Sequence, residues 1–280
     1  MPDTSPSFAG LRVASFESRR ADEMAKMIEK FGGVPCVSPS MREVKLDRNP
    51  AAIAFAQDII AGRFDIVVLM TGVGLRRLLD DISAEVNRDE FITALGQTIT
   101  VCRGPKPVVV MRELGLQPTH RVPEPNTWRE LLATLDAHCP VAGLRVGLQE
   151  YGVPNDALLE ALKTRGAIVT AVKVYDWDFP EDISPLERNA RALAAGELDV
   201  LLFTSSRQVV NLLEVANRLG LASQVRQQWP RMVVGSIGPT MSETLRELEL
   251  SYDFEPEHPK MGHLVTAAAE CAAEIVRGKR

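Results

Sequence analysis

The sequence predicts an α/β fold with parallel sheets, built twice over. Three observations predict it. Short apolar runs alternate with segments of helical spacing along the whole chain, the pattern of βα units. Runs such as residues 66–70 are apolar without interruption, as strands covered on both faces are. Blocks of residues also recur in one order, which marks an internal duplication. The length of 280 residues suits about two domains. The 45% hydrophobic and 25% charged shares are those of an ordinary globular chain.

Residues 11–15 form a short β-rich run. Residues 22–31 carry Met24, Ile28 and Phe31 at helical spacing, and Gly32-Gly33 ends that helix. A strand at 34–37, a helix at 51–61 and the strand at 65–70 follow. Thr71-Gly72-Val73-Gly74 reads as a loop leading to a helix over 75–82. Next come a strand at 98–102, a turn at Arg103-Gly104-Pro105 and a helix at 107–114. Val122 begins a last short strand before a helix at 128–137.

The second copy repeats this order. Leu11-Arg12-Val13 recurs as Leu144-Arg145-Val146, and Gly33 recurs as Gly166 at the same spacing. The run from Phe64-Asp65 recurs as Leu198-Asp199, one residue further on. Gly104-Pro105 recurs as Gly238-Pro239, and Arg112-Glu113-Leu114 as Arg246-Glu247-Leu248. A single inserted residue accounts for the change in spacing.

The composition excludes several functions. A net charge of −5 argues against a phosphate-backbone partner, and 5% aromatics argue against a stacking platform for nucleic acid. No apolar run nears the roughly 20 residues of a membrane helix. Residues 1–6 lack a basic, then apolar, leader, so a cytoplasmic location is expected. Cys36, Cys102, Cys139 and Cys271 form no C-x-x-C pair and read as reduced thiols. His120, His138, His258 and His263 have no metal-ligand spacing, so no metal is expected. A phosphate-binding G-x-x-x-x-G-K-[ST], a dinucleotide-binding G-x-G-x-x-G and a hydrolase G-x-S-x-G are all absent.

Ligands of open parallel sheets gather at the carboxyl ends of the strands, where helix N-termini present free N–H groups. Four such corners are built from small or hydroxylated residues: Thr71-Gly72-Val73-Gly74, Arg103-Gly104-Pro105-Lys106, Thr204-Ser205-Ser206 and Ser236-Ile237-Gly238-Pro239-Thr240. Helix capping alone explains any one of them. Two matched pairs suit a polyanion better. The residues thus read as a two-lobed α/β protein for an anionic small molecule.

These corners carry a resemblance. Glu17-Ser18-Arg19-Arg20, Thr71-Gly72-Val73-Gly74, Tyr151-Gly152, Val174-Tyr175, Phe203-Thr204-Ser205-Ser206 and Ile237-Gly238-Pro239-Thr240, in that order, resemble the uroporphyrinogen-III synthase family, HemD-like proteins. The likeness runs from about residue 11 to 273. Many members have Thr-Arg-Pro where this chain has Ser18-Arg19-Arg20-Ala21. Which of the two arginines would meet an anion is therefore open.

The resemblance implies two similar doubly wound parallel-sheet lobes joined by two extended crossings. Lobe one would be residues 1–37 plus 178–280, and lobe two 46–172. The crossings would be 38–45 and 173–177. It also implies a cofactor-free lyase that closes hydroxymethylbilane into uroporphyrinogen III, inverting the last pyrrole ring and losing water. Loss of hydroxide gives an azafulvene, and attack through the substituted carbon of the last ring gives a spiro intermediate. That intermediate fragments and recloses, so much of the task is conformational control. Tyr175 matches the tyrosine nearest the chemistry, where a phenol would give the departing hydroxide a hydrogen bond or a proton.

Candidate substrate-binding residues are Arg19, Arg20, Thr71, Gly72, Val73, Gly74, Arg103, Gly104, Lys106, Tyr151, Gly152, Thr204, Ser205, Ser206, Gly238, Pro239 and Thr240, with Arg19, Arg20, Arg103 and Lys106 as the carboxylate partners among them. Tyr151-Gly152 would start a helix of lobe two. Lys173, beside Tyr175, is a further candidate. A monomer is expected, with hydroxymethylbilane synthase as a transient partner. The alternative reading is a non-catalytic relative that binds or senses a tetrapyrrole. A two-lobed periplasmic binding protein and a regulator with an added DNA-binding module fit less well.

Overall fold

The computed structural model describes residues 5–44, 49–150, 152 and 155–279. In chain order the elements are β1 (Arg12–Ser15), α1 (Ala21–Lys30), β2 (Val34–Val37), β3 (Arg42–Val44), α2 (Pro50–Ile60), β4 (Ile66–Leu69), α3 (Gly72–Ile82) and α4 (Arg88–Gln97). Next are β5 (Ile99–Cys102), α5 (Pro105–Glu113), β6 (His120–Arg121), α6 (Trp128–His138), β7 (Arg145–Gln149), α7 (Asp156–Thr164) and β8 (Ile168–Val172). The chain ends with β9 (Asp176–Asp178), α8 (Ser184–Ala194), β10 (Val200–Phe203), α9 (Ser206–Arg218), α10 (Ala222–Gln228), β11 (Val233–Ser236), α11 (Pro239–Glu247) and α12 (Met261–Lys279).

Two compact units result: Met1–Arg42 with Asp178–Arg280, and Glu43–Trp177. The first holds a four-stranded sheet in the order β11-β10-β1-β2, the second a five-stranded sheet in the order β6-β5-β4-β7-β8. Every pairing within these two sheets is parallel. β3 and β9 pair in a small sheet where the chain changes unit.

Strand periodicity explains why both sheets are covered on both faces. Along β4, Ile66 and Val68 join one apolar cluster with α6 and α7, while Val67 and Leu69 join another with α2, α3, α4 and α5. Along β10, Val200 and Leu202 face α1 and α12, while Leu201 and Phe203 face α8, α9, α10 and α11. All eight residues are fully buried.

The duplication shows in one exchanged contact. Asp65 accepts the backbone N–H of Arg145 at 2.8 Å, and its repeat partner Asp199 accepts that of Arg12 at 2.7 Å. Asp65 N–H donates to Arg145 O at 2.9 Å, and Asp199 N–H to Arg12 O at 3.0 Å. Each copy thus pins the first strand of the other beside its own strand. Arg145 also bonds Asp65 through its guanidinium, at 2.8 and 3.0 Å. These bonds hold the Asp65 carboxyl down at about 2. A lowered folded-state value means that the stabilisation is present near neutral pH and is lost as pH falls from about 4 to 2. Acid unfolding of Asp65→Asn is expected to lack that part of the wild-type acid limb; superimposable curves would exclude it.

Several boundaries differ from the sequence expectation. Gly72, Val73 and Gly74 form the first turn of α3 rather than a loop, because Thr71 caps it. α5 begins at Pro105, a residue preset for a first helical turn. The strand expected from Val122 is His120–Arg121, since Pro123 has no N–H to extend the ladder. α7 begins at Asp156 rather than at Tyr151-Gly152, because Asn155 Oδ1 accepts the Leu158 N–H at 2.9 Å. α4, capped by Asn87, was not expected. Ser38 and Ser40, expected in a crossing, are buried inside the first unit: Asn189 donates to Ser38 Oγ at 2.9 Å and Asn211 to Ser40 O at 2.7 Å. Val174 and Tyr175 are buried in the core of the second.

Candidate functional site

Each sheet reverses its winding once. In the first unit the chain leaves β1 toward β2 on one side and β10 toward β11 on the other. In the second the same switch lies between β4 and β7. The crevice at a switch point is where such sheets bind ligands.

In the first unit, Glu17 follows β1 and fills the start of α1. Its Oε1 accepts the N–H groups of Arg19 at 3.1 Å and Arg20 at 3.3 Å. Its Oε2 accepts Thr204 Oγ1 at 2.5 Å and Gln208 Nε2 at 3.5 Å. Gln208 ties this cluster together, donating to Thr204 Oγ1 at 2.7 Å and accepting the Thr204 N–H at 2.8 Å. Arg19 and Arg20 are exposed, and the Arg20 guanidinium pairs with Glu23 on its own helix, Nε to Oε2 at 2.6 Å.

The next two corners differ. Ser205 opens α9 and Gly238 opens α11, and neither start has a side-chain cap. The Gly238 N–H donates to Ser236 Oγ at 3.4 Å, while first-turn N–H groups such as those of Ser206 and Thr240 face outward toward an anion. The two corners are neighbours: Ser206 Oγ donates to Thr240 O at 3.4 Å and accepts Thr244 Oγ1 at 2.8 Å. Pro239 supplies no N–H, and Thr240 is exposed beside it. Arg207, in the same first turn of α9, has a buried Nε with no hydrogen-bond partner.

In the second unit, Thr71 Oγ1 accepts the Gly74 N–H at 2.9 Å, so this hydroxyl serves as a cap. The Thr71 N–H donates to Gln149 Oε1 at 3.3 Å. The two glycines are packing requirements. A Cβ on Gly72 would lie 2.7 Å from the Lys106 carbonyl oxygen, and one on Gly74 would overlap the Gln149 amide. Val73 packs on the adjoining apolar cluster. Gly104 opens α5 without a side-chain cap, with Arg103 half-buried before it and Lys106 exposed after it.

Gly152, at φ +64°, passes so close to Trp177 and Tyr175 that a Cβ would overlap the indole and lie 3.0 Å from Tyr175 Cε2. Tyr175 is 1% exposed and stands edge-on to Trp177, with centroids 5.5 Å apart at 83°. Lys173 Nζ donates to Asp176 Oδ2 at 2.6 Å. Tyr151 lies outside the described residues.

The structure thus gathers Thr204, Ser205, Ser206, Gly238, Pro239 and Thr240 at one sheet edge. It gathers Thr71, Gly72, Gly74 and Lys106 at the other, and seats Gly152 on Tyr175. It turns the Arg20 guanidinium away to Glu23. Sequence reasoning passed over Glu17 as a site residue, and over Gln149, Glu150, Arg207 and Gln208. One signal was present: Glu17 and Glu150 occupy the same place in the two copies, six residues after Leu11 and Leu144.

The profile of the family described as uroporphyrinogen-III synthase HemD matches residues 22–266, most of both units. This chain belongs to that family. A mutant uroporphyrinogen III synthase from the extremely thermophilic bacterium Thermus thermophilus shares the fold, with a TM-score of 0.70 at 24% identity, over 97% of this chain and 100% of that one. The wild-type enzyme in another crystal form gives 0.56 at 26% identity, over 95% and 100%. The uncharacterized protein YjjA of Bacillus subtilis (strain 168) is 31% identical over 265 residues, 93% of this chain and 96% of that one. A member of the uroporphyrinogen-III synthase family is read as a lyase-type protein of tetrapyrrole biosynthesis. Among the described residues, no helix is long and apolar enough to cross a membrane, and no group of three or more His, Cys, Asp or Glu is placed to hold a metal.

Proposed function

We propose that this chain is a uroporphyrinogen-III synthase, cyclising hydroxymethylbilane with inversion of its last ring and loss of water. The observation that carries the reading is the adjoining pair of helix starts at α9 and α11, neither with a side-chain cap, in a chain whose family profile spans both units. Backbone N–H groups there suit the carboxylates of a linear tetrapyrrole. Arg207 stands in the first turn of α9 and adds positive charge, and a guanidinium fork matches a carboxylate. Held at several points, the flexible bilane is bent toward attack through the substituted carbon of its last ring. Tyr175 gives the leaving oxygen a hydrogen bond.

The burial of Tyr175 favours a second reading, a relative that binds a tetrapyrrole without turning it over. One assay separates the two. The protein is incubated with hydroxymethylbilane, the products are oxidised, and the porphyrin isomers are separated. The synthase yields the type III isomer. Type I isomer at the level of the enzyme-free reaction would sink the synthase reading.

A further inference from the structure

Glu150 is an acid among the buried polar residues, and its carboxyl has no hydrogen bond among the described residues. It follows β7 directly, at the switch between β4 and β7, and its backbone N–H donates to Val172 O at 2.9 Å. The residue is 8% exposed. Its repeat counterpart Glu17 receives two backbone N–H groups, a hydroxyl and an amide. Neither oxygen of the Glu150 carboxyl is sealed from solvent, so a mostly buried acid faces a ligand-binding crevice with its oxygens open to a proton partner.

We propose that Glu150 is the proton-transfer group of the cyclisation, an assignment that rests on the synthase reading above. The proton balance of that reaction needs one such group. When the C–O bond of the hydroxymethyl group breaks, its electron pair leaves on oxygen, and the Glu150 carboxyl supplies the proton that makes the leaving group water. The substrate is left as an azafulvenium cation, with the Glu150 carboxylate as counter-charge. Attack of the substituted ring carbon, fragmentation and reclosure form and break carbon–carbon bonds without changing the proton count. The last closure leaves the attacking ring carbon with a surplus hydrogen. Its proton passes to the Glu150 carboxylate, the pyrrole regains aromaticity, and the carboxyl is restored. No oxidant, reductant or co-reactant is required.

The surroundings suit a group that must both give and take a proton. Burial raises the Glu150 carboxyl above the usual range. Lys173 pulls it down and Asp156, in the first turn of α7, pushes it up. Lys173 is itself bound to Asp176, which limits its pull. A tyrosine, with an ordinary value near about 10, is a weaker proton donor at neutral pH, which leaves Tyr175 the hydrogen bond.

The test uses the full chain, hydroxymethylbilane as substrate and the type III isomer as readout, across pH. Wild type is expected to slow as pH rises through the Glu150 value, since the acid form starts the reaction. Glu150→Gln, folded by circular dichroism, is expected to be about a hundredfold slower or more and to lack that alkaline limb. Glu150→Asp is expected to recover part of the rate with the limb displaced. Wild-type rate and pH profile in Glu150→Gln would overturn the assignment while leaving the synthase reading intact. If Glu150→Gln does not fold, Glu150→Asp decides, and a profile superimposed on wild type overturns the assignment. Only type I isomer from wild type overturns both.

Discussion

Division of the chain after Pro140 is expected to leave two halves that do not fold. The cut falls between the sequence repeats, where a duplicated chain would ordinarily part. Here it separates β4 from β7 and β1 from β10, the central pairings of the two sheets. In the register, Ile66, Val67 and Val68 pair with Val146, Gly147 and Leu148, while Val13, Ala14 and Ser15 pair with Val200, Leu201 and Leu202. Each half would hold parts of both sheets and a complete one of neither. Strands made for burial on both faces would be left with open edges and no cover. The whole stability of a domain, about 5–15 kcal/mol, is at stake. Residues 43–177, which follow the compact unit, are expected to give a cooperative thermal transition by circular dichroism. A cooperative transition in residues 1–140 alone would refute the argument.

Tyr175→Phe is expected to lower type III formation by about a hundredfold or more, the range of a positioned donor, with the fold retained. The ring keeps its edge contact with Trp177 and its seat against Gly152, so the variant loses only the hydroxyl. Tyr175→Ala would instead open a cavity in the core, at about 3–5 kcal/mol, and confuse folding with activity. The ring is covered, so contact with substrate follows a local opening. Turnover of Tyr175→Phe at the wild-type rate would remove Tyr175 from the mechanism.

Much of the fold was legible because it depends on local chemistry. The uninterrupted apolar run around β4 and the helical spacing of Met24 and Ile28 report burial directly, and both are observed buried. Misread boundaries came from caps that act through single side chains, such as Thr71 at α3 and Asn155 at α7. The candidate site was legible as a set of corners and much less as chemistry. Sequence could not tell that the Thr71 hydroxyl is used in capping while Ser205 leaves α9 uncapped. Nor could it tell that Gly72 and Gly74 make room for Lys106 and Gln149.

The sequence by itself determined that the chain is duplicated, that it alternates strand and helix, and which strands are buried on both faces. Periodicity and repetition are properties of neighbours along the chain, and they can be read there. Only the tertiary structure decided which copy supplies each strand's neighbour, because parallel pairing joins residues far apart in sequence. The same long-range placement decided the fate of two equivalent acids. Thr204 and Gln208, supplied by the other copy, satisfy Glu17, while Glu150, just after β7, is mostly buried and its carboxyl has no hydrogen bond among the described residues.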